Sequence, residues 1–401
     1  MTEKQATTEK QAMTRYRILP EPLPLVLPTG YILPAEFTPA AERIWATAEA
    51  KVRDLVTRHP DRFPLYTEKG RWAVDAEAWT NWCEGFLGGQ LWLLAEHTGD
   101  PWFRERAEHY SRLIEPRKDD RGVHDLGFLF WSTWRRWHDA TGDPAKNDVV
   151  VHAGRTLALR FNERGRYLRS FLAPDSLFID IMANVGIIFH AAARTGDPDL
   201  ARIAHEHCRT TRRHLIRGDG SASHEGIFDL ETGTFLRQPC WVVWRDDSSW
   251  ARGQGWAIQG FGTAYRSSGE LEFLQTAIQC ADFYIERTGD RLVPPNDLEE
   301  PDPVRPYESS AAAIAAGGLW QLACLLPDEP TRARRYGDYA LRILVRLCDD
   351  DFLAADDPAW EGVLKHGSYH EAKALGVDES VVWGDYFFLD ALDVVARGLG
   401  L

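Results

Sequence analysis

The chain has 401 residues, 44% of them apolar and 26% charged, the balance of a globular protein with ample core. Its formal net charge of −14 excludes nucleic acid and anionic membrane as main partners, since both need a basic surface. A small anionic substrate remains possible, because a few Arg and His residues reverse the potential inside a cleft. Residues 1–39 read as a disordered, Pro-rich extension. TEKQA occurs at 2–6 and again at 8–12, and prolines break PLPLVLP at 22–28, so neither a signal peptide nor a membrane helix is expected. The cytoplasm is the expected compartment.

Residues 40–401 read as one domain. Ile44, Ala48, Val52, Leu55 and Val56 fall at helical spacing within 40–58. The same periodicity predicts helices over 84–97, 101–114, 127–140, 148–160, 178–194, 198–214, 250–267, 271–287, 309–325, 330–348 and 381–398. Thr-Gly-Asp-Pro recurs at 98–101, 141–144 and 195–198, and Thr-Gly-Asp at 288–290. Gly accepts the left-handed conformation that ends a helix, Asp caps the next, and Pro suits a first turn that needs no N–H. Each occurrence therefore predicts a tight helical hairpin, with one helical pair in each of the first two intervals and room for two in the last. Such recurrence fits a toroid or an open solenoid, and about twelve helices favour an all-α (α/α)6 barrel of six closed hairpins.

The 16 Trp residues suit either barrel lining or stacking on sugar faces. Six scattered cysteines (Cys83, Cys208, Cys240, Cys280, Cys324, Cys348) show no metal-ligand spacing and read as buried reduced thiols. Phosphate-loop, HExxH and GxSxG patterns are absent. What remains are carboxylates in aromatic, small-residue surroundings, where an apolar wall raises a carboxyl pKa enough to make a proton donor. Asp125 opens an apolar helix and reads as either an N-cap or a functional acid. Asp180 sits in an apolar run with Asn184 one turn later, which makes it either a buried Asp bonded to Asn or Arg, or a used one. Trp250 and Trp256 flank Arg252, as a capped helix start or as stacking surface beside a fixed cation. His224 follows a Gly/Ser-rich loop, where solvation is the commoner role.

Six segments in order, HDLGF at 124–128, FIDIMANV at 178–185, DDSSWARGQGWAIQGF at 246–261, ESSAAAIAAGGLWQLA at 308–323, GSYH at 367–370 and ESVVWGDYFFLDAL at 379–392, resemble the unsaturated glucuronyl hydrolases of glycoside hydrolase family 88. The resemblance covers about residues 79–398. It implies an (α/α)6 barrel and a cofactor-free enzyme that hydrates the C4=C5 double bond of an unsaturated uronate ending a lyase-made oligosaccharide. It implies Asp180 as general acid/base and Asp125 as the second carboxylate, holding the pKa of Asp180 high by like charge. It also implies His124, His224, Trp250, Arg252 and Trp256 around the uronate, Ser368 near the next sugar, and Trp79 and Trp82 as stacking residues. Where many members carry a Gln-Gly type sequence, this chain has Trp241-Val242-Val243-Trp244-Arg245, which removes a polar contact and adds a nearby cation. The alternatives are an unsaturated rhamnogalacturonyl hydrolase, whose Asp-Asp, Met and Pro-Phe motif the residues around Asp180 do not fit, a sugar epimerase built on His124, His224 and His370, and a non-catalytic glycan-binding toroid.

Overall fold

A computed structural model describes residues 15–28, 30–73, 80–300 and 307–399. Its helices are α1 (Phe37–Arg58), α2 (Glu84–Thr98), α3 (Pro101–Leu113), α4 (Leu126–Phe130), α5 (Arg136–Thr141), α6 (Pro144–Ala158), α7 (Ile181–Asn184), α8 (Gly186–Thr195), α9 (Pro198–Leu215), α10 (Ala251–Ser268), α11 (Leu271–Thr288), α12 (Ser309–Cys324), α13 (Pro330–Leu347) and α14 (Val382–Leu399). A π-helical turn, Trp131–Arg135, joins α4 to α5. With α4–α5 and α7–α8 each taken as one interrupted helix, the helices alternate between two rings. The inner ring runs α2, α4–α5, α7–α8, α10, α12, α14, and α14 packs back against α2. That closure distinguishes the (α/α)6 barrel from a solenoid.

Composition decides which ring a helix joins. SSAAAIAAGGLWQLAC in α12 has no polar face and is buried along its whole length. By contrast, α13 keeps Ala333, Tyr336, Ala340, Ile343, Leu344 and Leu347 buried while its arginines face outward. Inner helices pass to outer ones through the Thr-Gly-Asp-Pro turns. Gly99, Gly142 and Gly196 have φ of 69°, 67° and 67°, and Asp100, Asp143 and Asp197 accept from the N–H groups of Trp102, Ala145 and Asp199 at 2.8, 2.9 and 2.9 Å. The fourth copy behaves differently. Gly289 follows an outer helix and opens a 3-10 turn, Gly289–Arg291, with no helix behind it, because Arg291 stands where the others have Pro. The interval from 195 to 288 accordingly holds three helices, and the corresponding hairpin is made at Gly269 (φ 73°).

Outer-to-inner connections are long and carry small antiparallel sheets: β1 (Thr67–Glu68) with β2 (Arg71–Trp72), β3 (Phe161–Asn162) with β4 (Tyr167–Leu168), β5 (Ser176–Phe178) with β6 (Glu225–Phe228) and β7 (Phe235–Arg237), and β8 (Gly367–His370) with β9 (Leu375–Glu379). All of them gather at the end of the barrel where the inner helices begin. The helix expected from residue 178 therefore starts only after β5.

Of the extension expected over residues 1–39, residues 1–14 lie outside the described residues. Residues from Arg17 onward form an extended strap across the opposite end. The N–H groups of Leu19, Leu23 and Val26 donate to the carbonyls of Ser267, Arg266 and Cys324, in the last turns of α10 and α12, where helical carbonyls lack partners of their own. Arg266 Nε returns a bond to the Leu23 carbonyl (2.6 Å), and the Tyr31 hydroxyl reaches Asp338 at 2.8 Å. Deleting residues 1–28 is expected to cost about 3 kcal/mol, at about 1 kcal/mol for each backbone bond. Thermal melting of the truncated chain checks this, and an unchanged melting temperature would deny the strap any stabilising part. All six cysteines are buried and unpaired. No helix among the described residues is long and apolar enough to cross a membrane.

Candidate active site

The inner helices all begin at one end of the barrel, so their dipoles present partial positive charge there, a favourable setting for an anion. A pocket opens at this end, and Asp125, Asp180, His124, His224, Trp250, Arg252, Trp256 and Trp82 all line it. Residues separated by up to 174 positions thus converge. Trp79 lies outside the described residues. Ser368 does not line the pocket. It stands behind Arg252, its carbonyl accepting from Nη1 at 2.5 Å and its N–H donating to Glu308 at 3.1 Å.

Asp125 occupies the N-cap position of α4 and Asp180 that of α7, yet neither carboxylate makes a capping bond. Asp125 is 4% exposed, and Asp180 Oδ1 is buried without a protein partner among the described residues. The pairing of β5 with β6 sets Phe178 opposite Glu225, and the Ile179 N–H donates to the His224 carbonyl at 3.0 Å. Asp180 and His224 therefore emerge side by side. Burial raises the Asp180 carboxyl to about 6, against the opposing pull of Arg252. Asp125 is likewise raised well above the ordinary carboxylate range, first by burial and then by the Asp180 charge. The two carboxyls therefore share one buried site, where ionisation of either disfavours ionisation of the other.

His124 accepts from the Phe171 N–H at Nδ1 (3.0 Å), which leaves its ring proton on Nε2, 3.3 Å from Asp125 Oδ1. Burial holds the His124 imidazole neutral and pulls His224 down to about 3. Arg252 is fixed in every direction. Its guanidinium donates to the carbonyls of Ser368 and Tyr369 (2.5 and 3.1 Å), lies 3.6 Å from Glu308, and sits 4.3 and 5.0 Å from the ring centroids of Trp250 and Trp383. Burial lowers its pKa, with Glu308 and Asp180 opposing.

Sequence reasoning left out several of these residues. Phe171, Phe178, Val242 and Tyr369 line the pocket; the segments that hold the last three stand out in the sequence, but these residues themselves do not. Glu308, wholly buried at the N-cap of α12, anchors Arg252, the Ala311 N–H and the Ser368 N–H together. Trp241 also lines the pocket, its Nε1 bonded to buried Glu225 at 2.9 Å and its ring stacked on His370 at 5.6 Å. The extra cation expected from Arg245 is near in sequence only. Its side chain lies over Trp244 and pairs with Asp247 at 2.7 Å, away from the pocket.

No family model matches the chain. It is 32% identical over 349 residues to the unsaturated glucuronyl hydrolase of Bacillus sp. (strain GL1), covering 84% of this chain and 92% of that protein. It is 31% identical over 322 residues to the unsaturated chondroitin disaccharide hydrolase of Streptococcus pyogenes serotype M1, covering 78% and 80%. Among solved structures, the Bacillus sp. GL1 unsaturated glucuronyl hydrolase, described as responsible for glycosaminoglycan degradation, matches with a TM-score of 0.83 at 30% identity over 89% of this chain and 97% of that one. A mutant unsaturated glucuronyl hydrolase of Streptococcus agalactiae complexed with dGlcA-GalNAc6S matches with a TM-score of 0.76 at 25% identity, over 94% and 98%.

Proposed function

Because the chain belongs to the unsaturated glucuronyl hydrolases, enzymes that remove the unsaturated uronic acid from the end of lyase-generated oligosaccharides, we propose that Asp180 and Asp125 carry that reaction here. The observation that supports it is a pair of buried carboxyls, both raised and both released from capping, facing a pocket walled by aromatic rings and a fixed Arg252. In this reading the uronate carboxylate lies toward Arg252 and the helix N-termini. Its charge raises Asp180 further and favours the protonated acid. Asp180 then gives its proton to C4 of the vinyl ether, and positive charge develops at C5 and the ring oxygen. Water adds at C5 as the Asp180 carboxylate takes one of its protons. The resulting hemiketal opens, leaving a hemiacetal at C1 that collapses and releases the next sugar as an alcohol. No covalent sugar–enzyme bond forms, so the two-carboxylate retaining and inverting geometries do not apply. His124, His224, Trp250 and Trp256 shape the uronate subsite, and Trp82 offers a half-buried ring toward the mouth.

The substrate class is an oligosaccharide ending in an unsaturated uronate, within glycosaminoglycan degradation. The rhamnogalacturonyl alternative finds no support among the relatives named above. We also assign the chain to the cytoplasm, a reading supported by six buried, unpaired thiols. The test is loss of the ultraviolet absorbance of the conjugated C=C–carboxylate group on a panel of lyase-made unsaturated disaccharides, with and without sulfate. Decay on a glucuronyl member is the expected result, and the preferred disaccharide identifies the polymer. A folded enzyme that leaves every member intact would overturn the proposal.

A further inference from the structure

We infer that Asn184 is a borrowed helix cap: it takes over the capping bond that Asp125 would otherwise make, frees that carboxylate for the pocket, and ties it at a set distance to Asp180. The inference rests on the reading of the two aspartates as the reacting pair. An Asp at an N-cap normally accepts the N–H two or three residues on. For α4 the third residue is Phe128, and its N–H donates instead to Asn184 Oδ1 at 2.8 Å. The same side chain's Nδ2 donates to the backbone carbonyl of Asp180 at 3.1 Å. One amide therefore bridges the starts of both carboxylate-bearing helices. Asn184 has no exposed surface.

Backbone packing points the same way. A Cβ on Gly127 would lie 2.6 Å from Asn184 Cα, 2.7 Å from its Oδ1 and 2.8 Å from its carbonyl oxygen. Only glycine lets the two helix starts meet so closely. The chemistry selects the residue type as well. The position needs an acceptor and a donor on one short, uncharged side chain. Aspartate supplies no donor, glutamine is one methylene too long, and serine is too short to reach both groups. Without the amide, ordinary N-cap geometry offers the Phe128 N–H the Asp125 carboxylate, and a carboxylate turned onto its own helix no longer faces the substrate.

The test is a melting cycle combined with a pH profile. Asn184→Ala should lower kcat by about 100-fold, the scale of a misplaced acid–base group. It should also cost less stability in the parent, where Asp125 swings in to cap Phe128, than in an Asp125→Ala background, where nothing replaces the lost acceptor. A difference of about 2 °C between the two melting shifts is expected for one cap. The cycle needs no turnover, so it reads the borrowed cap even if the proposed activity fails. Asn184→Asp keeps an oxygen for the Phe128 N–H but loses the donor to the Asp180 carbonyl, so it should fold with a lowered melting temperature. Its third carboxylate disfavours ionisation of the other two, moving the pH optimum of kcat upward. Equal melting losses in both backgrounds, or an Asn184→Asp profile that does not move, overturn the inference.

Discussion

An Asp180→Asn enzyme is expected to lose turnover by at least about 1,000-fold and yet to melt above its parent at neutral pH. The first effect follows from removing the group that gives a proton to C4. The second follows from linkage. Burial raises the folded-state pKa of Asp180 from 3.8 to about 6. The stability that this carboxyl contributes in its protonated form is complete below about pH 4 and lost as the pH rises through about 6, after which the fold holds a buried anion. Asparagine holds none. The gain should be about 1–3 kcal/mol above pH 6 and should vanish below pH 4. Melts at pH 4 and pH 8, run beside the absorbance assay, check both parts. Near-normal activity would remove Asp180 from the chemistry, and an equal melting shift at the two pH values would remove the buried-anion account.

Arg252→Ala carries the second large effect, an increase in KM of about 100-fold with a smaller change in kcat, since a buried, hydrogen-bonded charge facing an anionic substrate is lost. It also leaves Glu308 without its buried counter-charge, at a cost of about 3 kcal/mol or more. Arg252→Lys should not restore KM. The guanidinium reaches Ser368 and Tyr369 with two separate nitrogens while lying over Trp250, and a single ammonium cannot reproduce that planar fork. Separate KM and kcat values with a melting curve test the pair of claims. An unchanged KM would leave Arg252 only the task of holding β8 in place.

Much of the architecture is written in local chemistry. Helical periodicity finds each helix of both rings, since inner segments such as α12 are apolar all round and outer ones such as α13 are striped. Gly99, Asp100 and Pro101 announce their turn because each residue does one local job. The Thr-Gly-Asp at 288–290 misled because two of those jobs remain without the third. Closure of the ring depends on α14 meeting α2, a contact between residues almost 300 positions apart, and no period in the chain records it. The site shows the same divide. Asp125 and Asp180 stand out as charges in apolar runs, but whether an N-cap aspartate caps its own helix is decided by Asn184, on a different hairpin. Glu308 and Trp241 acquire their roles only when β8 and the loop after β7 fold over α10.

The strap and the end of α14 have a practical consequence. Helix α14 starts beside the pocket and finishes at the opposite end of the barrel, where the strap also crosses. Neither stretch of chain passes the opening through which an oligosaccharide arrives. A carrier protein, an affinity tag or a solid support joined behind α14 projects away from incoming substrate, so the enzyme can be immobilised on a bead or linked in tandem to a lyase with its opening still facing the solution.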